Sequence, residues 1–552
     1  MKIRSGFAEN LTKLGKSRLF AALLIVLSAS LTALTLIFDV LAGLAFVSMV
    51  PLVIALIKRC DAGKKLRSLY GLSFLWSMIF YIIIYHWFWY LWPMEFLGVE
   101  RPMALVITLV CWIGLSTLQA FGTAFIGLLF GAAYKKGGLK FAPLIFACAW
   151  TILEYMQSLT WAGVPWARLA LSQTVFPAAV QSASLLGSLF IGFIIALVNG
   201  FFAVTTVCFV KRENASRAWI RPLALALAII VLNLGYGFIA LGVHNEKSGE
   251  AIKINVVQGN IGSGDKWEDS SDTTSIRVYE TLTRQAHTKS PADIVLWPET
   301  VLVCSAKESL YFRNKITALA KETDSVIFVG AFDYSENSDG ETEAHNALIA
   351  FYPDGSIEES SYKKRHLVPF GEYMPMRNIL EKIMPFMTEL NMLSDDLAPG
   401  TSAEIIETGH GKAGRLICFD SIYPLLMRDS VRSGAEFVLL STNDSWYRDS
   451  ASAYQHNAHA VLRAVENRRY IARAASTGIS SVISSDGKVT DALPPLSDGY
   501  ICTEIHKNSG RTLYSVLGDI IVIPCVAAIA FFVLKDLFEK KKFTQENTEE
   551  SD

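Results

Sequence analysis

The sequence predicts a polytopic α-helical membrane domain of about eight spans joined to an α/β domain. Of the 552 residues, 52% are hydrophobic and only 18% are charged, whereas the charged share of soluble domains is typically about 25%. The apolar residues concentrate in residues 19–243 and 516–534, in runs close to the ~20 residues that cross a bilayer. Residues 244–515 differ, because short β-branched runs alternate there with helical patterns.

Eight apolar runs form the predicted spans. They lie near residues 19–37, 40–57, 69–92, 103–133, 141–158, 184–210, 219–243 and 516–534. Lys and Arg cluster at the start of the chain, in the second, fourth and sixth connections and after the last run, while the alternate short connections hold at most one each. Because cytoplasmic loops carry the excess of basic residues, both termini are predicted to be cytoplasmic. A cleaved signal peptide is the alternative interpretation of the first run, and the spans that follow immediately argue against it.

These boundaries define the expected domains. We expect seven transmembrane helices in residues 1–243, an α/β domain in 244–515 on the opposite side of the membrane, an eighth helix in 516–534 and a charged cytoplasmic tail in 535–552. The net charge of −1 gives no indication of nucleic-acid binding.

The α/β domain has recognisable strands and helices. Six β-branched runs predict strands at 252–258, 294–297, 326–332, 347–352, 414–419 and 437–442. Helical patterns lie at 272–288, 306–322, 422–433 and 451–475. This alternation predicts helices that cover a sheet. The domain holds three cysteines, Cys304, Cys418 and Cys502, so at least one thiol has no intramolecular partner, and a Cys304–Cys502 disulfide remains open.

Reactive side chains lie at three predicted strand ends. Glu299 follows one strand, Lys364 follows another, and Cys418 closes a third immediately before a helix. A thiol at the start of a helix usually has a lowered pKa, and the amides of Phe419 and Asp420 are expected to face the atom that the thiol attacks. A carboxylate, an ammonium group and a thiolate form a coherent set for acyl transfer.

Each of these residues also has a simpler structural explanation. Glu299 after Trp-Pro is typical of a turn, Lys364 in a KKR run is typical of a solvated surface, and Cys418 at the end of an apolar strand is typical of a core. His456 and His459, three residues apart on a predicted helix, could suggest zinc. They have no companion ligands, so we expect them to face core or solvent, and we expect no metal site.

Motifs along nearly the whole chain resemble those of the apolipoprotein N-acyltransferases, which are membrane-embedded members of the nitrilase, or carbon–nitrogen hydrolase, superfamily. The matching stretches are GVPW with SQ (163–173), VVQGNI (256–261), KW (266–267), WPET (297–300), HLVPFGEY (366–373), NDSWY (443–447), RAVENRRYIARAASTGIS (463–480) and RTLYSVLGD (511–519). The resemblance implies a nitrilase-like αββα sandwich for the α/β domain. It also implies that this domain is the catalytic domain and lies in the periplasm, between the seventh and eighth spans of a bacterial inner-membrane protein.

The resemblance assigns roles to individual residues. It implies a Glu–Lys–Cys triad in which Glu299 is the general base, Lys364 the essential lysine and Cys418 the nucleophile. Glu372 matches a further acidic residue that positions the lysine.

Residues with a weaker assignment line the expected substrate entrance. Trp267 and Trp446 match tryptophans associated with the entrance to the active site, and Tyr447 lies beside them in a matching stretch. Arg463 also lies in a matching stretch, and the resemblance gives it no role.

Two positions depart from the family pattern. The segment Cys418-Phe419-Asp420 stands where Cys-Tyr-Glu or Cys-Phe-Glu is usual, so a shorter acid must make whatever hydrogen bonds the glutamate makes. Val164 stands for the usual Phe of GFPW, a change that could alter a lipid contact.

The implied reaction has two steps. Cys418 attacks the ester of a phospholipid acyl chain, which forms a thioester and releases a lysophospholipid. The α-amine of the diacylglyceryl-modified cysteine of an apolipoprotein then accepts the acyl group as an amide, so ping-pong kinetics are expected. The partners are the phospholipid donor, the apolipoprotein acceptor and the bilayer. The resemblance implies no cofactor, and nothing in the sequence requires a partner subunit, so we expect a monomer.

The segment 373–393 is rich in Met and more apolar than a periplasmic loop requires. We interpret it as a mobile arm that touches lipid through Met384, Phe386 and Met387. A helix packed on the domain is the alternative.

Two other functions remain open from the sequence. A membrane-tethered nitrilase-type amidase would use the same triad with water as acceptor, but it has no need of eight spans and an apolar loop. A non-catalytic membrane scaffold on the same fold is disfavoured because Glu299, Lys364 and Cys418 are all present.

Overall fold

The N-terminal region of the computed structural model is a bundle of apolar helices. The structure describes residues 18–94, 99–211, 217–262, 264, 271–383 and 396–549. A chain in lipid must satisfy its backbone hydrogen bonds within each segment, which favours helices. The long helices are α1 Arg18–Leu34, α2 Val50–Asp61, α3 Leu66–Ile84, α4 Arg101–Thr123, α5 Phe125–Met156, α6 Ser188–Lys211 and α7 Ile220–Val243. Short helical turns lie at Asp39–Leu44, Ala45–Ser48, His86–Leu91, Pro165–Ala167, Leu169–Gln173, Pro177–Val180 and Ala183–Leu186.

Five helical stretches within the described ranges are long and apolar enough to cross a bilayer. They are Asp39–Asp61, Leu66–Ile84, Arg101–Met156, Ser188–Lys211 and Ile220–Val243. Ala21–Leu34 and Val522–Lys535 are apolar but shorter. The stretch Arg101–Met156 is divided, since α4 ends at Thr123 and Gly138 interrupts α5 with φ 61° and ψ −165°. Every one of the predicted apolar runs therefore coincides with a helix, although the number of stretches of full spanning length is smaller than expected.

The α/β domain contains two sheets packed face to face. The first has the order β13-β1-β2-β4-β5-β6, with β3 beside β4. Its strands are β1 Ala251–Gln258, β2 Ile294–Leu296, β3 Leu302–Ser305, β4 Val326–Glu336, β5 Thr342–Phe351, β6 Tyr362–Lys363 and β13 Gly499–His506. The second has the order β12-β11-β10-β9-β8-β7. Its strands are β7 Ile406–Glu407, β8 Lys412–Ile417, β9 Phe437–Thr442, β10 Ile471–Ala475, β11 Ser480–Ile483 and β12 Val489–Leu493.

Parallel strands form the centre of each sheet. Strand β2 lies between β1 and β4, with Ile294 opposite both Ile254 and Val326. Strand β9 lies between β8 and β10, with Leu439 opposite Arg415 and Ala472. Strands β2 and β8 belong to different sheets. The face-to-face packing of the two sheets brings together the segments that follow these strands.

Helices cover the outer faces of both sheets. They are α8 Ser271–Lys289, α9 Leu310–Thr323, α11 Pro424–Arg432 and α12 Ala451–Asn467. Of the remaining helices, α10 Arg377–Ile383 lies in the segment after β6, α13 Leu513–Leu517 packs on α11 and α12, and α14 Val522–Glu549 packs against α5 of the membrane domain. Helices α8 and α9 pack on the first sheet through a core that includes Tyr279, Trp297 and Leu319. The nitrilase-like αββα layering implied by the resemblance is present.

The second sheet rests on the membrane domain through its helices. Alternate strand residues face opposite sides, so Leu439 points between the sheets and Leu440 points outward. Leu440, Met427 of α11 and Ala460 of α12 share one continuous buried cluster with Trp166 and other residues of the membrane domain. The strand that carries Cys418 is therefore linked to the lipid-facing part of the molecule by packed apolar side chains.

The six predicted strands are all present, but one helix prediction is wrong. The helix predicted over 451–475 ends at Asn467, because Arg468 adopts the left-handed conformation with φ 51° and terminates it. Ile471–Ala475 instead forms β10, paired in parallel with β9. Seven short or polar strands were not predicted, namely β3, β6, β7, β10, β11, β12 and β13.

Candidate active site

Three strand ends bring Glu299, Lys364 and Cys418 to one place. Glu299 follows β2, Lys364 follows β6 and Cys418 follows β8. The approach of the Glu299 segment to β4 depends on Gly330, where a Cβ atom would lie 2.1 Å from the Pro298 carbonyl oxygen and 2.7 Å from the Glu299 Cα. The sequence prediction that these three residues lie together agrees with the structure.

Lys364 lies between two carboxylates. Its Nζ is 2.9 Å from Glu299 Oε1 and 2.9 Å from Glu372 Oε2, and only 2% of the Lys364 side chain is exposed. Burial is the largest effect and lowers the pKa of Lys364, but Glu299, Glu372 and Cys418 together raise this pKa well above its usual value. Lys364 is therefore positively charged. Val368 N–H donates to Glu372 Oε2 at 2.8 Å and stabilises the segment between Lys364 and Glu372.

Cys418 lies at the start of a tight turn with a left-handed backbone. Its φ is 50°, and the 3₁₀ turn Cys418–Ile422 separates β8 from α11. The predicted lowering of the thiol pKa is wrong, because burial and the charge of Glu299 raise the pKa of Cys418 and outweigh the lowering by Lys364 and by a hydrogen bond from Thr442. A non-glycine residue with positive φ is held by its surroundings at a cost of roughly 1–3 kcal/mol.

Asp420 accepts three hydrogen bonds although it is shorter than the expected glutamate. Its carboxylate receives Tyr362 Oη at 2.8 Å, His366 N at 2.8 Å and Ile417 N at 3.0 Å. Burial raises the pKa of Asp420 to about 6, against the lowering effects of Lys364 and of these donors. The side chain ties the Cys418 turn to the segment that carries Lys364.

Phe419 is buried in an aromatic cluster beside Asp420. Its ring centroid is 5.5 Å from that of Tyr423 and 5.9 Å from that of His366. Burial and the charge of Lys364 lower the pKa of His366 to about 4, so its imidazole is neutral at pH 7.

The predicted entrance residues are described in part. Trp446 and Tyr447 form the turn Ser445–Tyr447 and are both partly buried. The Tyr447 ring lies 4.2 Å from Trp87 and 6.0 Å from Phe88 of the membrane domain. The remaining entrance and arm residues lie outside the described part of the chain; they are Trp267, Met384, Phe386 and Met387.

Asn346 is a member of the site that sequence reasoning missed. Its Nδ2 donates to Glu299 Oε1 at 2.7 Å and to Glu372 Oε1 at 2.8 Å, so it bridges the two carboxylates. Asn346 lies in β5, one residue before the predicted strand 347–352. The sequence feature that could have identified Asn346 was its position as a polar residue at the edge of a predicted apolar strand.

A second missed group lies beneath Cys418. His456 is buried, which is one of the two environments expected for it. Its ring nitrogens contact the Cys418 turn and Asp444, and Asp444 also contacts Arg473. The expectation that His456 has no companion ligands is wrong, since ligand-type atoms of Cys418, Asp444 and His456 lie within 4.8 Å of one another. Because the Arg473 guanidinium already supplies the positive charge at Asp444, 2.7 Å away, we interpret the group as a hydrogen-bond network. His459, also buried, instead contacts the Trp166 carbonyl at 3.2 Å.

The GVPW segment joins the membrane domain to the helices behind the site. Trp166 Nε1 donates to Gln455 Oε1 at 2.7 Å, and Tyr423 Oη donates to the Gly163 carbonyl at 3.3 Å.

The two other cysteines of the α/β domain, Cys304 and Cys502, are both free thiols.

The chain is similar to known proteins over most of its length. A family model for carbon–nitrogen hydrolases matches residues 253–514, and a model for the apolipoprotein N-acyltransferase N-terminal domain matches residues 20–201. The chain is 30% identical over 518 residues to an apolipoprotein N-acyltransferase of Geobacter metallireducens, covering 92% of this chain and 94% of that protein. It is also 30% identical over 503 residues to one of Gloeobacter violaceus, covering 89% of each. The solved structure of Saccharomyces cerevisiae Nit3, a nitrilase-superfamily protein, matches 48% of this chain and 92% of that chain with 20% identity and a TM-score of 0.37.

The two family models match successive parts of one chain, which combines a helical membrane region with a nitrilase-like domain. Similarity to the Geobacter protein extends over nearly the full length of both chains. The chain therefore belongs to the apolipoprotein N-acyltransferase family, multi-pass enzymes of the bacterial inner membrane that N-acylate lipoproteins.

Proposed function

We propose that Cys418 carries an acyl group from a phospholipid to the α-amine of the diacylglyceryl-cysteine of an apolipoprotein. The observation that carries this proposal is the buried Lys364 ammonium, which pairs with Glu299 and Glu372 beside the Cys418 thiol. One positive and two negative charges surround a thiol that is neutral at rest. This arrangement fits a nucleophile that is deprotonated only as it attacks.

In the first step the Glu299 carboxylate takes the thiol proton while Cys418 Sγ attacks the ester carbonyl carbon of the phospholipid. Negative charge develops on the carbonyl oxygen, where the Lys364 ammonium stabilises it. The tetrahedral intermediate collapses with cleavage of the C–O bond. The leaving glycerol oxygen takes the proton from Glu299, which releases a lysophospholipid and leaves a thioester on Cys418.

In the second step the α-amine of the acceptor attacks the thioester carbonyl carbon. Glu299 accepts the proton that the amine loses, and the C–S bond breaks with the electron pair remaining on sulfur. Protonation of the Cys418 thiolate by Glu299 restores the resting enzyme, and the acceptor leaves as an amide. Glu372 and Asn346 hold Lys364 and Glu299 in register throughout, through hydrogen bonds of 2.7 to 3.0 Å.

The position of the site relative to the membrane is also part of the proposal. The distribution of Lys and Arg supports eight crossings, cytoplasmic termini and a periplasmic catalytic domain over 244–515. The eighth crossing is the helix that begins at Val522, beyond the earlier predicted boundary of 516. The contact of Tyr447 with Trp87 and Phe88 supports a substrate entrance at the junction with the membrane domain. We propose that Trp267, Trp446 and Tyr447 belong to this entrance, and that Met384, Phe386 and Met387 lie on an arm that touches lipid.

Trapping of the acyl-enzyme tests the proposed function. The full-length protein in detergent micelles is incubated with a phospholipid labelled in its acyl chain and no acceptor. We expect a hydroxylamine-sensitive label on the Cys418 peptide, absent in Cys418→Ala and Cys418→Ser. Cys502→Ser, which removes another thiol of the same domain, should label like the wild type.

The second part of the experiment tests transfer of the acyl group to the acceptor. Addition of a diacylglyceryl peptide should move the label from the enzyme to the peptide amine. Transfer of label to the peptide without any thioester on Cys418 would contradict the proposed mechanism. Release of label as free fatty acid, with none on the peptide, would indicate a hydrolase instead.

A further inference from the structure

A buried polar network lies directly beneath the Cys418 turn. Arg473 Nη2 donates to Asp444 Oδ2 at 2.7 Å, and His456 Nδ1 lies 2.7 Å from Asp444 Oδ1. The other imidazole nitrogen, His456 Nε2, lies 3.1 Å from the Cys418 carbonyl oxygen and 2.9 Å from Ser421 Oγ. The three side chains of the network are between 0% and 6% exposed. None of these three side chains is the proposed general base, the lysine or the thiol described above.

The charge of Asp444 determines the direction of these hydrogen bonds. Burial alone raises the pKa of Asp444, but Arg473 and His456 lower it well below its usual value, so the carboxylate is ionised and can only accept. His456 Nδ1 must therefore carry a hydrogen and donate it to Asp444. The orientation of the ring is then determined, and Nε2 necessarily faces the nucleophile's turn.

The contacts of Nε2 meet the backbone of Cys418 itself. Ser421 Oγ donates to the Cys418 carbonyl oxygen at 2.8 Å, within reach of the same imidazole nitrogen. A protonated Nε2 donates to the carbonyl, and an unprotonated Nε2 accepts from the Ser421 hydroxyl. The single Ser421 hydroxyl hydrogen binds either the carbonyl or Nε2. His456 therefore holds the turn through the Cys418 carbonyl in the first state and through Ser421 in the second, and φ of Cys418 is 50°.

Thr442 connects the network to the thiol. Thr442 Oγ1 is 3.5 Å from Asp444 Oδ1 and also hydrogen-bonds the Cys418 thiol. Asp444 has space at its position because residue 478 is glycine. A Cβ atom at residue 478 would lie 2.3 Å from Asp444 Oδ2. The carboxylate is thus held from three sides, by Arg473, by the tight approach of Gly478 and by the imidazole.

We propose that His456, oriented by the Asp444–Arg473 ion pair, is a positioning residue that holds the left-handed Cys418 turn and so aims the thiol at the ester carbonyl. This inference deepens the proposed function and rests on Cys418 as the acyl-carrying nucleophile. A misplacement of about 1 Å in a reacting group can reduce a rate by about 100-fold. His456 acts through the backbone of Cys418 and does not itself contact the acyl chain.

Single-turnover acylation of the full-length enzyme tests the proposal. The rate constant for acyl-enzyme formation at saturating labelled phospholipid is measured for the wild type, His456→Ala, His456→Gln and Ser421→Ala. We expect His456→Ala to lower this rate constant by about 100-fold, with no change in the lipid concentration at half-maximal rate. His456→Gln, whose amide can still donate to the Cys418 carbonyl, should recover part of the loss. Ser421→Ala should give a smaller loss, and the double variant should lose less than the product of the two.

The amplitude of the acylation burst separates positioning from folding. A variant that misfolds lowers the amplitude, whereas a positioning defect lowers the rate constant of the folded fraction. His459→Gln is the matched control, since His459 is buried on the same helix but bonds the Trp166 carbonyl; it should keep the wild-type rate constant. If His456→Ala and His456→Gln acylate at the wild-type rate, the positioning role is wrong. If the wild type itself forms no thioester, the proposed function fails before the role of His456 is reached.

Discussion

The thiol of Cys418, the proposed nucleophile, is not activated in the resting protein. Its pKa is raised by burial and by Glu299, and lowered less by Lys364 and Thr442. A thiol held neutral in this way reacts only when a base removes its proton. Glu299, the proposed base, is also one of the groups that disfavours the thiolate. At the scale of single residues, Glu299 therefore has two opposing effects on Cys418.

Substitutions at Glu299 and Lys364 should separate these effects. Glu299→Gln removes a negative charge that raises the thiol pKa, so alkylation of Cys418 by iodoacetamide should become faster at a fixed pH near 8, while acyl transfer should fall by two orders of magnitude or more, at about 10²–10⁴-fold for a general base. Lys364→Met should slow both reactions, because the lysine lowers the thiol pKa. The pH dependence of alkylation at the Cys418 peptide, followed by mass spectrometry, measures the shift. Slower alkylation in Glu299→Gln would contradict this account.

Asp420 is a second case in which residue identity alone misleads. The shorter acid is fully buried and accepts from three donors within 3.0 Å. The donors come from β6, from the segment after Lys364 and from the end of β8. One donor is the Tyr362 hydroxyl and two are backbone N–H groups, so the aspartate links three segments around Cys418.

At the scale of elements, the site depends on how closely the loop after β2 approaches β4. Val301 N donates to the Gly330 carbonyl at 2.8 Å, and Gly330 leaves space for Pro298 and Glu299 on its side-chain face. A sheet in which this position carried any Cβ atom could not hold the Glu299 segment at the same distance. Gly330 in β4 therefore permits the close approach of the segment after β2, which carries Glu299.

Gly330→Ala should move the Glu299 segment. The new methyl group would contact the Pro298 carbonyl oxygen at 2.1 Å, and overpacking of this kind costs about 1–3 kcal/mol. We expect a lower unfolding temperature together with a lower rate of acyl-enzyme formation at unchanged lipid affinity. Gly242→Ala, at a position on α7 with nothing within 4 Å, is the control. Wild-type acylation by folded Gly330→Ala would show that the close approach is not needed.

At the scale of the whole molecule, the α/β domain and the membrane domain share one core. A buried ion pair of α12 also contacts the membrane domain. Arg463 and Glu466 of α12 pair at 2.7 Å with both side chains fully buried. Glu466 Oε1 also accepts from the backbone of Ser188, at the start of α6, at 2.8 Å. Arg463, which the resemblance left without a role, thus belongs to the junction between the domains.

Glu466→Gln should destabilise this junction strongly. It leaves the Arg463 guanidinium buried without its anionic partner, a change that typically costs about 3–5 kcal/mol. Glu322→Gln removes the same charge from the exposed pair with Arg284, where the expected cost is at most about 1 kcal/mol. Thermal unfolding in detergent micelles compares the two variants. Equal unfolding temperatures would mean that the buried pair does not stabilise the junction.

Several parts of the fold and site were predictable because they depend on local patterns. The apolar runs coincide with helices, and the strands that carry Glu299 and Cys418 were found from their β-branched residues. The prediction over 451–475 failed where Arg468 ends the helix, since a left-handed terminating residue other than glycine has little sequence signature. Asn346 and the Asp444–His456–Arg473 network were missed for another reason. Their side chains come from different elements, and only the packing of the strands and of α12 brings them together.

The sequence by itself determined the membrane character of the chain, the α/β domain and the family, because hydrophobic length, residue alternation and contiguous motifs are properties of neighbours along the chain. Only the tertiary structure decided the state of the thiol, the partners of Asp420 and the network beneath Cys418. Those depend on burial and on charges from distant segments, whose distances are fixed when two sheets and a membrane domain pack together. The pKa of Cys418, raised where local position predicted it lowered, is the plainest example of that difference.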